Sequence, residues 1–394
     1  MIQYYCLLLC VFCTCCNSEK SKTKSIKKEY KFEIGKNPDR YHERIYYDKQ
    51  KKENCIYFSD AVTDKTIKVF DMNGNLLQNI SLSPALNAIG KIRSIQMVSL
   101  DTIIINSSQT NKIAVINRQG EVWRKIHLDT LLTDKKGNHF ELWTMITISP
   151  NGETLISPCE WRYNVRDVSE NKEPKNDLDI SRYFHKNNFV SPYFCKISNL
   201  YSKKPIIEYG LYNFYGNIGT SENIFAGLPR YAYVNNKLFV FSIYSDILFE
   251  IEPTTMKIKQ KTKINSAHTS VGAKHLLKND DITLGNIEDV VNLILRTEGY
   301  VYDIEYDAIN EQYYVIVFHK ISINTPKEKQ GNNARPFSLV IYDKAFKKLD
   351  EHTFDNKDHS CSLLGSKEGV MFQRKQNNNK KNESAILTIF DFNK

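Results

Sequence analysis

The side chains with most to offer an anion in this chain are three arginines and a histidine: Arg44, Arg93, Arg230 and His359. Trp143 and Tyr300 occupy equivalent places in the pattern described below. Guanidinium forks match carboxylate and phosphate groups. Gathered around one cavity, these residues would favour an anionic ligand; paired instead with carboxylates of neighbouring elements, they would be structural. A second set suits a glycan or peptide: the aromatics Trp161, Tyr163, Tyr212, Phe214 and Tyr215. Recognisable catalytic motifs are missing. No Gly-rich phosphate loop follows a strand, and neither G-x-S-x-G nor H-E-x-x-H occurs. "NDDITLGNIED" (Asn279–Asp289) fails the spacing of a calcium loop, and "DNKDHS" (Asp355–Ser360) reads as a polar connection. No metal, no cofactor and no composite acid/base site are therefore expected, which favours binding over catalysis. Cys55, Cys159, Cys195 and Cys361 are too far apart for a zinc site and read as buried thiols.

Residues this dispersed act together only if the fold converges them. "IKVFDMNGNLLQNISL" (Ile67–Leu82) and "IAVINRQGEVWRKIHL" (Ile113–Leu128) share their landmarks at a displacement of 46 residues, including Gly74 and Gly120. Each copy is a period-two strand, a turn containing glycine, and a second strand. A strand pair, "RIYYDKQKKENCIYFSD", precedes the first copy, making four antiparallel strands. Such a unit cannot bury both faces alone, and repeated around an axis it makes a β-propeller. Later copies of the third and fourth strands lie at Tyr193–Leu211, Asp246–Ile264 and Ser338–Phe354, with a lone third strand at Ala385–Phe392. First and second strands recur at Leu142–Pro158, Arg230–Tyr244 and Tyr300–His319. The expected fold is an all-β, six-bladed β-propeller of four-stranded antiparallel blades spanning residues 29–394. The later blades are degenerate, so five or seven also fit the pattern. Its last blade lacks an outer strand, and "EYKFEIG" (Glu29–Gly35) is predicted to pair with Ala385–Phe392 and close the ring.

Propeller topology sorts the loops onto two faces. The short turns share one. The long segments share the other: Cys159–Phe189, Tyr212–Pro229, Asn265–Gly299, Ser322–Pro336 and Lys375–Glu383. Within them "NIEDVVNLILR" reads as a short helix capped by Asn286. The innermost strand of each blade starts at the long-loop face, which places Arg44, Arg93, Trp143, Arg230, Tyr300 and His359 around the funnel mouth.

The first sixteen residues, "MIQYYCLLLCVFCTCC", are apolar and uncharged, and read as a signal-peptide h-region. A cysteine closing that run before a polar tether resembles a bacterial lipoprotein signal. This resemblance implies residues 1–16 as a signal, lipidation at Cys16 (or Cys15), and residues 17–28 as a disordered basic tether. The net charge of +9 is concentrated there: Asn17–Lys28 holds five lysines and one glutamate. The remainder is too dilute for a nucleic-acid footprint. With "YDAINEQYYVIVF", these features resemble Bacteroides-type six-bladed propeller lipoproteins of the domain-of-unknown-function 4221 family, Val315 standing where that family's segment has Arg. The resemblance implies an outer-membrane lipoprotein, periplasmic or surface-facing, and no known reaction. The expected function is an envelope-anchored module binding a protein, peptide or glycan at the long-loop face. The alternative is a hydrolase or lyase acting on an anionic small molecule or glycan in the funnel.

Overall fold

A computed structural model of the chain describes residues 25–35, 42–48, 53–107, 112–127, 139–142, 146–162, 193–211, 229–242, 246–269, 298–307, 310–322, 324–326, 335–355, 359–366, 369–374 and 384–392. The signal, Cys16, Trp143, most of the long-loop segments and the helix expected around Asn286 lie outside the described residues.

Six antiparallel sheets follow one another along the chain. The first blade comprises β2 (His42–Asp48), β3 (Glu53–Asp60), β4 (Thr66–Asp71) and β5 (Leu76–Ser81). After helix α1 (Ser83–Ile89) comes the second blade: β6 (Ile92–Ser99), β7 (Thr102–Ser107), β8 (Lys112–Ile116) and β9 (Val122–His127). The third holds β10 (His139–Leu142), β11 (Thr147–Ile148), β12 (Leu155–Arg162), β13 (Tyr193–Ser198) and β14 (Ile206–Leu211). In the fourth are β15 (Pro229–Val234), β16 (Lys237–Ser242), β17 (Ile247–Glu252) and β18 (Lys257–Lys263). The fifth contains β19 (Tyr300–Asp307), β20 (Gln312–Phe318), β21 (Phe337–Asp343) and β22 (Lys348–Phe354). The sixth contains β23 (His359–Ser366), β24 (Gly369–Arg374) and β25 (Ser384–Asp391), and its outer strand is β1 (Ser25–Glu33). This is the six-bladed propeller expected from the repeat.

Position within a blade explains composition. Middle strands are covered on both faces and read as unbroken apolar runs, as in "QYYVIVF" of β20 and "FSLVIYD" of β21. Outer strands have one wet face and alternate, as in "KIKQKTK" of β18. The apolar side chains fill the wedges between blades; one cluster joins Tyr57, Ile67 and Val69 of the first blade to Ile103, Ile105 and Ala114 of the second.

The closing strand pairs as predicted. β1 runs antiparallel to β25 with Glu29 opposite Thr388, Tyr30 opposite Leu387 and Glu33 opposite Ser384. Pairing extends further towards the N-terminus than expected: Ser25 lies opposite Asp391, so residues 25–28, read as tether, belong to the sheet. Because β25 follows a long-loop segment, its far end and the start of β1 lie at the short-turn face.

The 46-residue repeat also has a physical cause in the turns. At Asp71 the side-chain Oδ1 accepts from the N–H of Asn73 and Asn75, and Asn117 does the same for Gln119 and Glu121. Asp343 repeats the device with Ala345 and Lys347. The fourth residue of this turn has positive φ: Gly74, Gly120 and, without a glycine, Phe346. A Cβ on Gly74 would sit 2.7 Å from the carbonyl oxygen of Lys31 in β1, and one on Gly120 would sit 2.5 Å from that of Ser81 at the end of β5. Each turn therefore seats directly on the outer strand of the preceding blade. Gly74→Ala and Gly120→Ala are each expected to lower stability by about 1–3 kcal/mol, read by urea unfolding, because a Cβ adds left-handed strain to the clash with main chain. A loss below about 0.5 kcal/mol would show that the turns are not seated this way.

Two local features differ from the sequence pattern. The inner strand of the third blade is split into β10 and β11, which pair with different parts of β12. As a result β12 runs on to Arg162, and residues 159–162, read as the start of a long loop, are strand. Helix α1 was not anticipated; it starts with Pro84 in its first turn and buries Ala85 and Ile89.

Candidate functional site

The innermost strands surround the axis: β2 lies against β6 and β23, β19 against β15 and β23, and β11 against β15. Three of them bring charged groups together. Arg44 comes from β2, Arg230 from β15, and Asp303 with Glu305 from β19. A bulge between Val301 and Asp303 resets the alternation, so Asp303 and Glu305, two residues apart, share a face while Val301 and Ile304 are buried between blades.

Arg44 is exposed, although it stands on an innermost strand. Burial works against its charge, but Tyr57, Asp303, Glu43 and Tyr302 outweigh that and hold the guanidinium above its ordinary range. Its Nη1 also donates to the Glu43 carbonyl at 2.9 Å. Arg230 is positioned by β19 itself: it lies 4.4 Å over the Tyr302 ring, and its Nη1 donates to the Tyr302 carbonyl at 2.9 Å. Burial raises the Asp303 carboxyl, opposed by Arg44, Arg230 and the Ile304 N–H. Burial together with the neighbouring Asp303 charge pushes Glu305 up to about 8, against the pull of Arg44. Thus Asp303, which feels both guanidiniums, is the more acidic member of the pair, and Glu305 is the one that holds its proton to higher pH.

Glu305 has room because of one residue. A Cβ on Gly365 of β23 would stand 2.8 Å from Glu305 Oε2 and 3.2 Å from the Tyr306 carbonyl oxygen. Among the described residues, no hydrogen bond or ion pair joins either guanidinium to either carboxylate. Asp303 feels both guanidiniums and Glu305 feels Arg44, but none of these charges closes into an ion pair within the set.

The other expected site residues are distributed differently. Arg93 is on the innermost strand β6, exposed at a bulge between Ile92 and Ser94, and takes no part in the Arg44 set. Tyr300 does not face the axis: it is 3 % exposed and packs edge-on against Phe318 at 5.3 Å, within the core between blades. His359 also turns away, its ring 5.0 Å from Phe390 and 6.4 Å from Phe354. Trp161 falls in β12 opposite Phe140, with its side chain outside the described residues. Asp303 and Glu305 are not among the residues expected at the axis. Their only signal is the run of three acidic residues at alternate positions of "YVYDIEYD", the same pattern as any half-wet strand. Among the described residues no cluster of His, Cys, Asp and Glu could hold a metal ion. Cys55 and Cys195 are buried, and burial pushes the Cys195 thiol up to about 12.

With this geometry in hand, comparison with known proteins speaks to the fold. A structure from the DUF4221 family of Bacteroides vulgatus superposes with a TM-score of 0.62 at 14 % identity, covering 94 % of this chain and 99 % of its own. The chain shares the fold of that DUF4221 structure. A candidate exported protein of Bacteroides fragilis gives 0.51 at 11 % identity, covering 94 % and 96 %. No family model matches the sequence. No curated protein matches it either. The six-bladed scaffold is thus shared at very low identity. The DUF4221 likeness expected from "YDAINEQYYVIVF" appears as a common fold, with Val315 fully buried in β20.

Proposed function

We propose that the chain is an exported, envelope-anchored binding module whose ligand presents an anionic group to the axial site. The observation that carries this reading is the set of Arg44, Arg230, Asp303 and Glu305, gathered by innermost strands with no guanidinium–carboxylate pair among them. Charged groups that the ring gathers without pairing them to one another are available to a charged ligand. The protein, peptide or glycan partner would enter from the long-loop face, where the innermost strands begin.

Export is supported by the N-terminal apolar run ending at Cys16 and by the structural likeness to a candidate exported protein. Lipid on Cys16 would leave residues 17–24 as linker, reaching roughly 15 Å as a coil. Since β1 starts at the short-turn face, that face would lie toward the membrane and the axial mouth away from it.

Two experiments test these parts separately. Cys16→Ser, compared with Cys15→Ser, is expected to move the protein from the membrane to the soluble fraction; retention of both variants in high salt would overturn the anchor. The mature domain is expected to capture a partner from its own envelope extract, and Arg44→Met is expected to reduce capture at least about tenfold, one bidentate guanidinium contact being worth about 1.5–3 kcal/mol. Undiminished capture would remove the axis from the reading.

The carboxylate pair supports a second reading, hydrolysis or lyase chemistry on an anionic glycan or small molecule. Glu305 would be the proton donor and Asp303 the base. Turnover that disappears in Glu305→Gln while ligand binding persists would favour it.

A further inference from the structure

We infer that the rim of the short-turn face seats in a lipid bilayer surface, with Ile26, Leu76, Trp123, Ile206 and Leu349 as its apolar contacts. The orientation rests on the anchoring reading above; the contact belongs to the ring's own side chains rather than to lipid on Cys16. Six large apolar side chains are exposed among the described residues. Five of them stand at the first or second position of an outer strand: Ile26 in β1, Leu76 in β5, Trp123 in β9, Ile206 in β14 and Leu349 in β22. Outer strands begin at the short-turn face, so all five lie on one rim. The sixth, Val62, falls in the connection between β3 and β4, on the opposite face.

Single exposed apolar residues are ordinary; their gathering on one rim is not. The five strand starts belong to consecutive blades, from the fifth through the sixth to the third, and form a continuous arc. The fourth blade, with Lys257 at this place, is the gap. The arc is held rigidly. The turns before Leu76 and Trp123 seat through Gly74 and Gly120 on the neighbouring outer strands. Trp123 lies 5.9 Å from the Tyr201 ring of the third blade, and Arg124 beside it donates to the Tyr201 carbonyl at 3.0 Å. Trp123 is nevertheless 48 % exposed. An indole, with an apolar body and an N–H, suits the boundary between headgroups and acyl chains.

What covers this rim follows from where the chain enters the ring. β1 starts at Ser25, next to Ile26 and within the arc. Residues 17–24 separate it from Cys16, a coil of roughly 15 Å. That is shorter than a folded domain is wide. An acylated Cys16 would therefore hold the rim against its own membrane rather than against a protein lodged between them. Charges of both signs share this face, with Arg118 paired to Asp101 and Lys344 to Glu311. The contact is accordingly assigned to apolar burial and not to anionic headgroups.

The probes are vesicles of neutral phosphatidylcholine and, for comparison, of phosphatidylglycerol. The protein is the unlipidated chain from Asn17 onward, which carries the whole ring. In high salt it is expected to sediment with phosphatidylcholine vesicles. Trp123→Ser should raise the half-binding lipid concentration about tenfold and Leu349→Ser about threefold, each losing the burial of one side chain. Val62→Ser should leave it unchanged. Phosphatidylcholine brominated near its headgroup should quench the fluorescence of wild type more than that of Trp123→Phe, which retains Trp143 and Trp161. Should Trp123→Ser lack a cooperative melt, Leu349→Ser carries the comparison. Absence of vesicle binding overturns the inference, as does an equal loss in Val62→Ser. So does binding confined to phosphatidylglycerol and abolished by salt, or pairing of two copies without lipid that Trp123→Ser removes. The anchor is judged apart from all of these, by membrane fractionation of Cys16→Ser.

Discussion

Phe32→Ala is expected to cost about 3–5 kcal/mol, a large part of the roughly 5–15 kcal/mol that holds a domain folded. Phe32 is fully buried at the closing seam. Its ring lies 5.4 Å from Phe58 and 5.7 Å from Phe70, both in the first blade, while its main chain pairs with Ala385 of the last. One side chain thus spans the junction between the two ends of the chain. Tyr30 and Ile34 flank it in the same cluster, with Ile56, Leu387 and Ile389. Deleting residues 25–33 would remove these contacts and expose the edge of β25 to solvent and to other chains. The deletion is expected to abolish a cooperative urea transition, whereas Lys31→Ala, on the exposed face of the same strand, should change stability by less than about 0.5 kcal/mol. If Phe32→Ala lost under about 1 kcal/mol, or the deletion melted as cooperatively as wild type, β1 would be an accessory rather than the closure.

Arg335→Met is expected to cost about 2–5 kcal/mol. Arg335 is completely buried and donates to the main-chain carbonyls of His319 and Glu298. It lies 5.5 Å over the rings of Tyr300 and Phe318, and burial lowers its pKa to about 10. Glu298 is also buried and has Lys320 as its ion-pair partner at 3.1 Å. This guanidinium ties together the segments entering β19, leaving β20 and entering β21. Methionine would fill much of the volume but leave the carbonyls without their donor, at about 1–3 kcal/mol each. Urea unfolding measures the loss. Limited proteolysis should show cleavage near residues 298 and 320 before the blades open. A loss near zero would show that water satisfies those carbonyls as well as Arg335 does.

Arg335 also shows where sequence reading reached its limit. In "NNARPF" it sits in a polar, loop-like stretch, and nothing local distinguishes it from a solvated arginine. By contrast, Phe32 was legible. "EYKFEIG" alternates as a strand, and a terminal third strand left one vacancy in the ring. Repetition made the difference: a displaced copy reports strand order and turn position without knowledge of any contact.

The axial site divides along the same line. Arg44 and Arg230 could be placed near the axis because each falls near the start of an innermost strand, and strand order came from the repeat. Tyr300 and His359 were placed by the same rule and point elsewhere. Side chains alternate with period two, so a single inserted residue exchanges the faces. β19 carries a bulge between Val301 and Asp303, and β23 loses register between His359 and Leu363. The sequence by itself therefore determined the propeller class, the strand order within a blade, the repeated turns and the closing strand, all of which follow from local periodicity and turn chemistry, while the six sheets of the structure decided the blade count between five, six and seven. Only the tertiary structure decided which face of each inner strand meets the axis, because bulges formed against neighbouring strands set that parity, and the closed ring brings Asp303 and Glu305 opposite Arg44.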